Sequence, residues 1–121
     1  CSSLVEKIKS NYNKVDVVLS PAIGGIVVGY EIGRQLNVQT IFAERENNKL
    51  TLRRGFAIPL NSNVLIVEDV ITTGKSALEC SDIVKKNKAK LVGFACIIDR
   101  SNHNLLIKDK IISQLTFKIS T

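Results

Sequence analysis

Methionine and tryptophan are absent from this 121-residue sequence, and two tyrosines and four phenylalanines are its only aromatic rings besides one histidine. So few rings leave a stacking platform for single-stranded nucleic acid poorly supplied. The single histidine, His103, forms no Ser-His or Cys-His pattern of the kind that activates a nucleophile. Cysteine is scarce and odd in number (Cys1, Cys80, Cys96), with no CxxC. That argues against a disulfide framework or a zinc site, and for small buried thiols in a reduced, cytoplasmic setting. No apolar run approaches the ~20 residues that span a bilayer, so a membrane role is not expected. A secretory leader pattern is also missing, and Cys1 opens directly into a helix-like segment. We therefore expect one core domain over residues 1–121, cut from a longer protein.

Apolar residues make up 45% and charged residues 23%, the balance of an ordinary globular domain. Seventeen Lys and Arg against eleven Asp and Glu give a net charge of +6. A basic chain suits nucleic acid or a polyphosphate ligand equally. The charge is spread along the chain, and Lys85, Lys86, Lys88 and Lys90 sit at an expected helix end, where cations complement the dipole.

Leu4, Ile8 and Tyr12 recur at helical spacing, predicting a helix over residues 3–13. A β-branched run at 15–19 ends at Ser20-Pro21 and reads as a buried strand. After Gly24-Gly25, residues 26–36 have helical periodicity, and residues 38–43 form a second strand. Residues 44–58 break the alternation with a charged stretch, the expected hairpin. Residues 64–67 are a third strand running into Glu68-Asp69, followed by a helix over 75–88 and a strand over 91–98 that ends at Asp99-Arg100. Residues 115–119 alternate weakly, as an edge strand would. Nearly continuous apolar strands separated by helices predict a mainly parallel sheet with helices on both faces, an α/β fold. Ligands in such folds bind beyond the carboxyl ends of the strands. Three strand ends carry unusual chemistry: residues 20–25, Glu68-Asp69 with the loop after them, and Asp99-Arg100.

The most informative segment is Val64-Leu65-Ile66-Val67-Glu68-Asp69-Val70-Ile71-Thr72-Thr73-Gly74-Lys75-Ser76. Two acids end a buried strand, and a loop of hydroxyls and glycine then opens a helix. Hydroxyls, exposed backbone N–H groups and the positive helix end together make a phosphate cradle. Gly74-Lys75-Ser76 resembles the tail of a Walker A loop, but Asp69 stands where the first glycine would be, which rules that motif out. Two carboxylates beside a phosphate seat suit a ligand that also offers hydroxyls, or a Mg²⁺.

That segment resembles the phosphoribosyl-pyrophosphate (PRPP) motif of type I phosphoribosyltransferases. The wider chain is similar to the orotate phosphoribosyltransferases, through residues 20–26, Phe42-Ala43-Glu44-Arg45-Glu46, Leu52-Arg53-Arg54-Gly55-Phe56 and Asp99-Arg100. The resemblance implies that fold, with a flexible hairpin flap, and transfer of ribose 5-phosphate from PRPP to orotate, giving orotidine 5'-monophosphate in pyrimidine synthesis. It implies PRPP contacts from Arg45, Lys49, Glu68, Asp69, Val70, Ile71, Thr72, Thr73, Gly74, Lys75 and Ser76, with Asp69, Arg45 and Lys49 serving catalysis. Orotate is assigned to Thr72 and Arg100, with no protein-held metal but Mg²⁺ carried by PRPP. The implied partners are PRPP and orotate, without nucleic acid or membrane, in a homodimer whose hairpin reaches the neighbouring subunit.

Three departures from that family are expected. The segment that builds a hood over the base is expected to be missing ahead of Cys1, Gly24 stands where some relatives have Lys, and His103 lies outside the mobile loop where some relatives carry a histidine. A purine or other base phosphoribosyltransferase stays open, as does a PRPP-sensing regulator that binds nucleic acid.

Overall fold

The computed structural model describes residues 2–12, 14–47, 49–52, 57–71, 73–99 and 111–116. Its centre is a six-stranded sheet. In chain order the elements are α1 (Ser2–Asn11), β1 (Val17–Pro21), α2 (Ile26–Leu36), β2 (Gln39–Glu46), β3 (Lys49–Leu52), β4 (Asn63–Ile71), α3 (Lys75–Lys86), β5 (Lys90–Asp99) and β6 (Ile111–Thr116). The strands lie in the order β3-β2-β1-β4-β5-β6. Only β2 and β3 pair antiparallel; the other pairings are parallel.

Strand parity sorts the core into two layers. Val17, Leu19, Val64, Ile66, Phe94 and Cys96 pack with Ala77, Cys80, Ile83 and Val84 of α3. Val18, Leu65, Val67 and Ala95 pack on the opposite face with Leu4 and Ile8 of α1 and Val28 and Ile32 of α2. Central strands covered on both faces favour apolar residues throughout, which is why residues 17–19 of β1 and 64–67 of β4 read as unbroken hydrophobic runs, with buried Ser20 the polar exception in β1.

Helix α2 comes unusually close to the sheet. Gly25, Gly29 and Gly33 recur every fourth residue and form one bare stripe on it. A Cβ on Gly29 would lie 2.1 Å from Ser20 Oγ, and one on Gly33 would lie 2.0 Å from Thr40 Oγ1. In the space this leaves, the Thr40 hydroxyl donates to the Gly29 carbonyl at 3.1 Å. Asn37 caps the helix with φ 60°, its N–H reaching the Arg34 carbonyl at 3.1 Å.

Four expected boundaries move. β2 runs three residues past Ala43, because Glu44, Arg45 and Glu46 pair with Thr51, Leu50 and Lys49. The expected hairpin is antiparallel, turning at Asn47 (φ 52°) with Leu50 buried beneath it. The final helix turn stops at Lys86, since Lys88 takes a left-handed backbone (φ 56°). The edge strand is Ile111–Thr116 rather than 115–119, held by Ile111 opposite Phe94 and by buried Ile112; residues 117–119 lie outside the described residues. Most consequential, β4 does not stop at Val67. It stays paired with β5 as far as Ile71 opposite Asp99, so Glu68 and Asp69 belong to the strand itself.

Candidate functional site

β1 and β4 are neighbours, yet their connections leave toward opposite edges of the sheet. Such a reversal opens a crevice at the carboxyl ends of the two strands. Into it come the loop after β1 and the end of β4. Contact between them is intimate: a Cβ on Gly24 would stand 3.0 Å from both Asp69 carboxylate oxygens.

Because β4 is still extended at its acid pair, the two carboxylates project to opposite faces. Asp69 is exposed, accepts the Val70 N–H at 2.8 Å, and lines a cavity of about 550 Å³ with Gly24, Ile26, Val27, Tyr30 and Ile97. Glu68 is partly buried on the α3 side, opposite Cys96 in the ladder and close enough to Cys80 for its charge to act on that thiol. The sequence presented them as a matched pair; the structure gives only Asp69 to the open crevice. Val70 is half-buried, and Ile71 is a core residue at 1% exposure, so any ligand contact from Ile71 is through its backbone.

The chain then turns at Thr73 and Gly74 into α3. Gly74 has φ 82°, a left-handed conformation that favours glycine, and it is the helix N-cap. Glycine has no side chain with which to cap, so the first N–H groups of α3 depend on other partners. Lys75 is exposed and Ser76 partly so, at the mouth of this turn. Thr72 lies outside the described residues. The N-terminus of α2, capped by Gly25, opens at the same end of the sheet after the Pro21–Gly25 turn, whose Gly25 N–H donates to the Pro21 carbonyl at 3.0 Å. Two positive helix ends without side-chain caps, exposed Asp69 and the Arg34-paired Glu31 therefore surround the crevice, an arrangement suited to a phosphorylated ligand that also carries hydroxyls.

The hairpin cations are placed less simply. Arg45 is bidentate to Glu79 of α3, at 3.0 and 3.2 Å. Lys49 lies in β3, where its backbone pairs with Glu46. Arg53, Arg54 and Arg100 lie outside the described residues. Glu79 is the partner that sequence reasoning missed, since one acid inside a helix carries no local signal that it will meet a cation 34 residues away.

The sequence pattern of the phosphoribosyl transferase domain matches residues 1–119. The chain belongs to that family. Its similar relatives include orotate phosphoribosyltransferases of Chlorobium phaeobacteroides (44% identical, covering 98% of this chain and 62% of the relative) and Methylorubrum extorquens (45%, covering 100% and 62%). A second Chlorobium phaeobacteroides strain gives 51% identity over 87% of this chain and 54% of the relative. The chain thus spans about three-fifths of the length of these curated relatives. In fold it is similar to adenine phosphoribosyltransferase from Thermoanaerobacter pseudethanolicus (TM-score 0.78, 18% identity, 96% of this chain and 79% of that one). It is likewise similar to a purine phosphoribosyltransferase from Pyrococcus horikoshii (TM-score 0.76, 22% identity, 96% and 78%).

Within this phosphoribosyl transferase domain burial also sets Glu68 apart. Burial, with the Asp69 charge beside it, raises Glu68 to about 7. Burial likewise pushes the Cys96 thiol up to about 12 and the Cys80 thiol higher still, so neither is a nucleophile near neutral pH. Between the ordinary carboxyl range and about pH 7 the unfolded chain loses the Glu68 proton while the folded chain keeps it. Stability present at low pH is therefore lost as pH rises through the folded value. The melting advantage of Glu68→Gln over wild type should grow between about pH 5 and about pH 8; a constant difference would contradict the shift.

Among the described residues no three His, Cys, Asp or Glu side chains converge on a point where a cation could sit. No described helix is long and apolar enough to cross a membrane.

Proposed function

We propose that this chain carries the PRPP site of an orotate phosphoribosyltransferase. The observation that supports it best is the end of β4, where exposed Asp69 stands next to Gly24 and one turn ahead of the side-chain-free cap of α3. On this reading the backbone N–H groups and hydroxyls of residues 72–76 seat the 5-phosphate. Asp69 accepts from the ribose hydroxyls, and its charge favours the cationic character that develops at the ribose C1. Glu68, half-buried on the α3 side and protonated below about pH 7, puts no second negative charge behind the crevice, so its expected PRPP contact is confined to its backbone.

The bond from C1 to the diphosphate oxygen breaks and a bond to the base nitrogen forms, that nitrogen giving up its proton. Arg45 and Lys49 supply positive charge on the leaving side, the first loop and α2 N-terminus the rest. The donors present fit a Mg²⁺ held chiefly by the ligand, because the crevice cavity is lined by only two described carboxylates, Asp69 and Glu31, and Glu31 is taken by Arg34. When bound, Mg²⁺ neutralises charge building on the departing diphosphate. The choice of orotate is supported by the names of the relatives at 44–51% identity, and Thr72 and Arg100 are its proposed contacts. Arg100 is a cation suited to an anionic base. Homodimer assembly rests on the resemblance alone.

The test is pyrophosphate release by the full-length protein supplied with PRPP and, separately, orotate, uracil, adenine or hypoxanthine. Release with orotate only is expected. Release only with a purine would overturn the base assignment, and failure to bind PRPP would overturn the reading as a whole.

A further inference from the structure

One charged cluster outside the crevice ties three elements together. The Glu79 carboxylate, on the second turn of α3, accepts from Arg45 Nη2 at 3.0 Å, from Arg45 Nη1 at 3.2 Å and from the Leu50 N–H at 3.4 Å. Arg45 and Leu50 face each other across the β2–β3 ladder. A single carboxylate therefore engages both strands of the hairpin at one register position. The ion pair is open to water, its side chains being 40% and 23% exposed, so holding it together contributes little. Arg45 also borders a second cavity, of about 510 Å³, with Ala22, Ile23, Ile26 and Glu44, beside the N-terminal end of α2.

We propose that Glu79 acts as a built-in competitor that weakens diphosphate-bearing ligands and leaves monophosphates unaffected, by holding the Arg45 guanidinium until a more highly charged anion takes it. The inference rests on the phosphoribosyltransferase reading. A guanidinium fork matches carboxylate and phosphate oxygens alike, so the contest between them is decided by charge and solvent exposure. A diphosphate carries more charge than one carboxylate and wins a half-exposed pair cheaply. A monophosphate seated at the α3 N-terminus has no group directed at Arg45 and leaves the pair intact. Once Arg45 leaves, the Glu79 carboxylate regains water and its 3.4 Å bond from the Leu50 N–H loosens, while the buried Leu50 side chain keeps the hairpin on α3. One acid thus couples the occupancy of the diphosphate side to the position of Arg45.

The test titrates the full chain with PRPP–Mg²⁺, pyrophosphate–Mg²⁺ and ribose 5-phosphate by calorimetry, for wild type, Glu79→Gln, Arg45→Ala and the double variant. Glu79→Gln should tighten PRPP and pyrophosphate about two- to fivefold, the range expected for removing one exposed competing ion pair, and leave ribose 5-phosphate unchanged. In the Arg45→Ala background the same change should do nothing. Hydrogen exchange on the wild type gives a second readout independent of any variant: pyrophosphate–Mg²⁺ should speed exchange of the Leu50 amide, and ribose 5-phosphate should not. Unchanged or weaker PRPP binding by Glu79→Gln overturns the proposal. So does an equal gain without Arg45, which would mark a general charge effect. PRPP binding by the wild type without this coupling defeats the inference alone, whereas no PRPP binding at all defeats the phosphoribosyltransferase reading and the inference with it.

Discussion

Asp69→Asn is expected to lower turnover of the full-length protein by about 10²-fold or more while the melting temperature stays within about 2 °C of wild type. The two effects separate because of where the side chain sits. Asp69 is exposed, and it accepts a hydrogen bond from the neighbouring Val70 N–H, which an Asn oxygen can also accept. Losing an exposed charge at a strand end costs the fold little. The reacting sugar would feel the change at full strength, since a carboxylate oriented in advance opposes positive charge that develops only in the transition state. Steady-state rates at saturating PRPP and orotate, alongside thermal melts, decide the matter. Undiminished turnover in a folded Asp69→Asn protein would remove this acid from the reaction, and a large loss of stability would show that it holds the strand end instead.

Gly29→Ala should damage the scaffold severely for so small a substitution, costing about 2–3 kcal/mol and lowering the melting temperature by about 8–15 °C. The added methyl would meet Ser20 Oγ at 2.1 Å and Ser20 Cβ at 2.8 Å. Rotating the hydroxyl relieves the first contact but not the second, because that carbon is fixed to β1, the most deeply buried strand. The helix must therefore lift from the sheet, taking the α2 N-terminus and Gly24 with it. Gly33→Ala has an easier escape, since its worst contact is the Thr40 hydroxyl oxygen and the Thr40 Cβ lies back at 3.4 Å. Ser20→Gly should recover part of the loss in Gly29→Ala, because it removes both offending atoms. Melts of the two single variants and the pair measure this; additive losses would place the damage somewhere other than this contact.

Much of the scaffold was legible because local signals agreed with the tertiary structure. Helix α2 has its expected bounds, Gly25 and Asn37 punctuating both ends and the Ile26, Val28, Ile32 and Leu36 spacing filling the middle. What escaped were features decided by partners far along the chain. Glu68 and Asp69 looked like the start of a loop because charged residues seldom extend a buried strand. The ladder to β5, through Glu68 opposite Cys96 and Ile71 opposite Asp99, holds them in line. The charged stretch at 44–58 showed nothing of what anchors the hairpin, which is buried Leu50 and a carboxylate on α3. In the site, the hydroxyl-glycine turn and the acid next to it were readable from spacing. The separate fates of the two acids were not, since they depend on how far the strand continues.

That continuation makes position within β4 as informative as residue type. Inserting or deleting one residue between Val64 and Val67 would move each acid to the other side of the sheet, sending the crevice acid beneath α3 and its neighbour into the open. The composition of the segment would be untouched and both carboxylates would remain, yet the acid facing the crevice would be the wrong one. Substitutions that respect the alternation should therefore be tolerated along β4 much more readily than any change in its length, and a library of this segment screened for turnover should return hydrophobic exchanges in quantity and almost no frame-preserving single-residue indels.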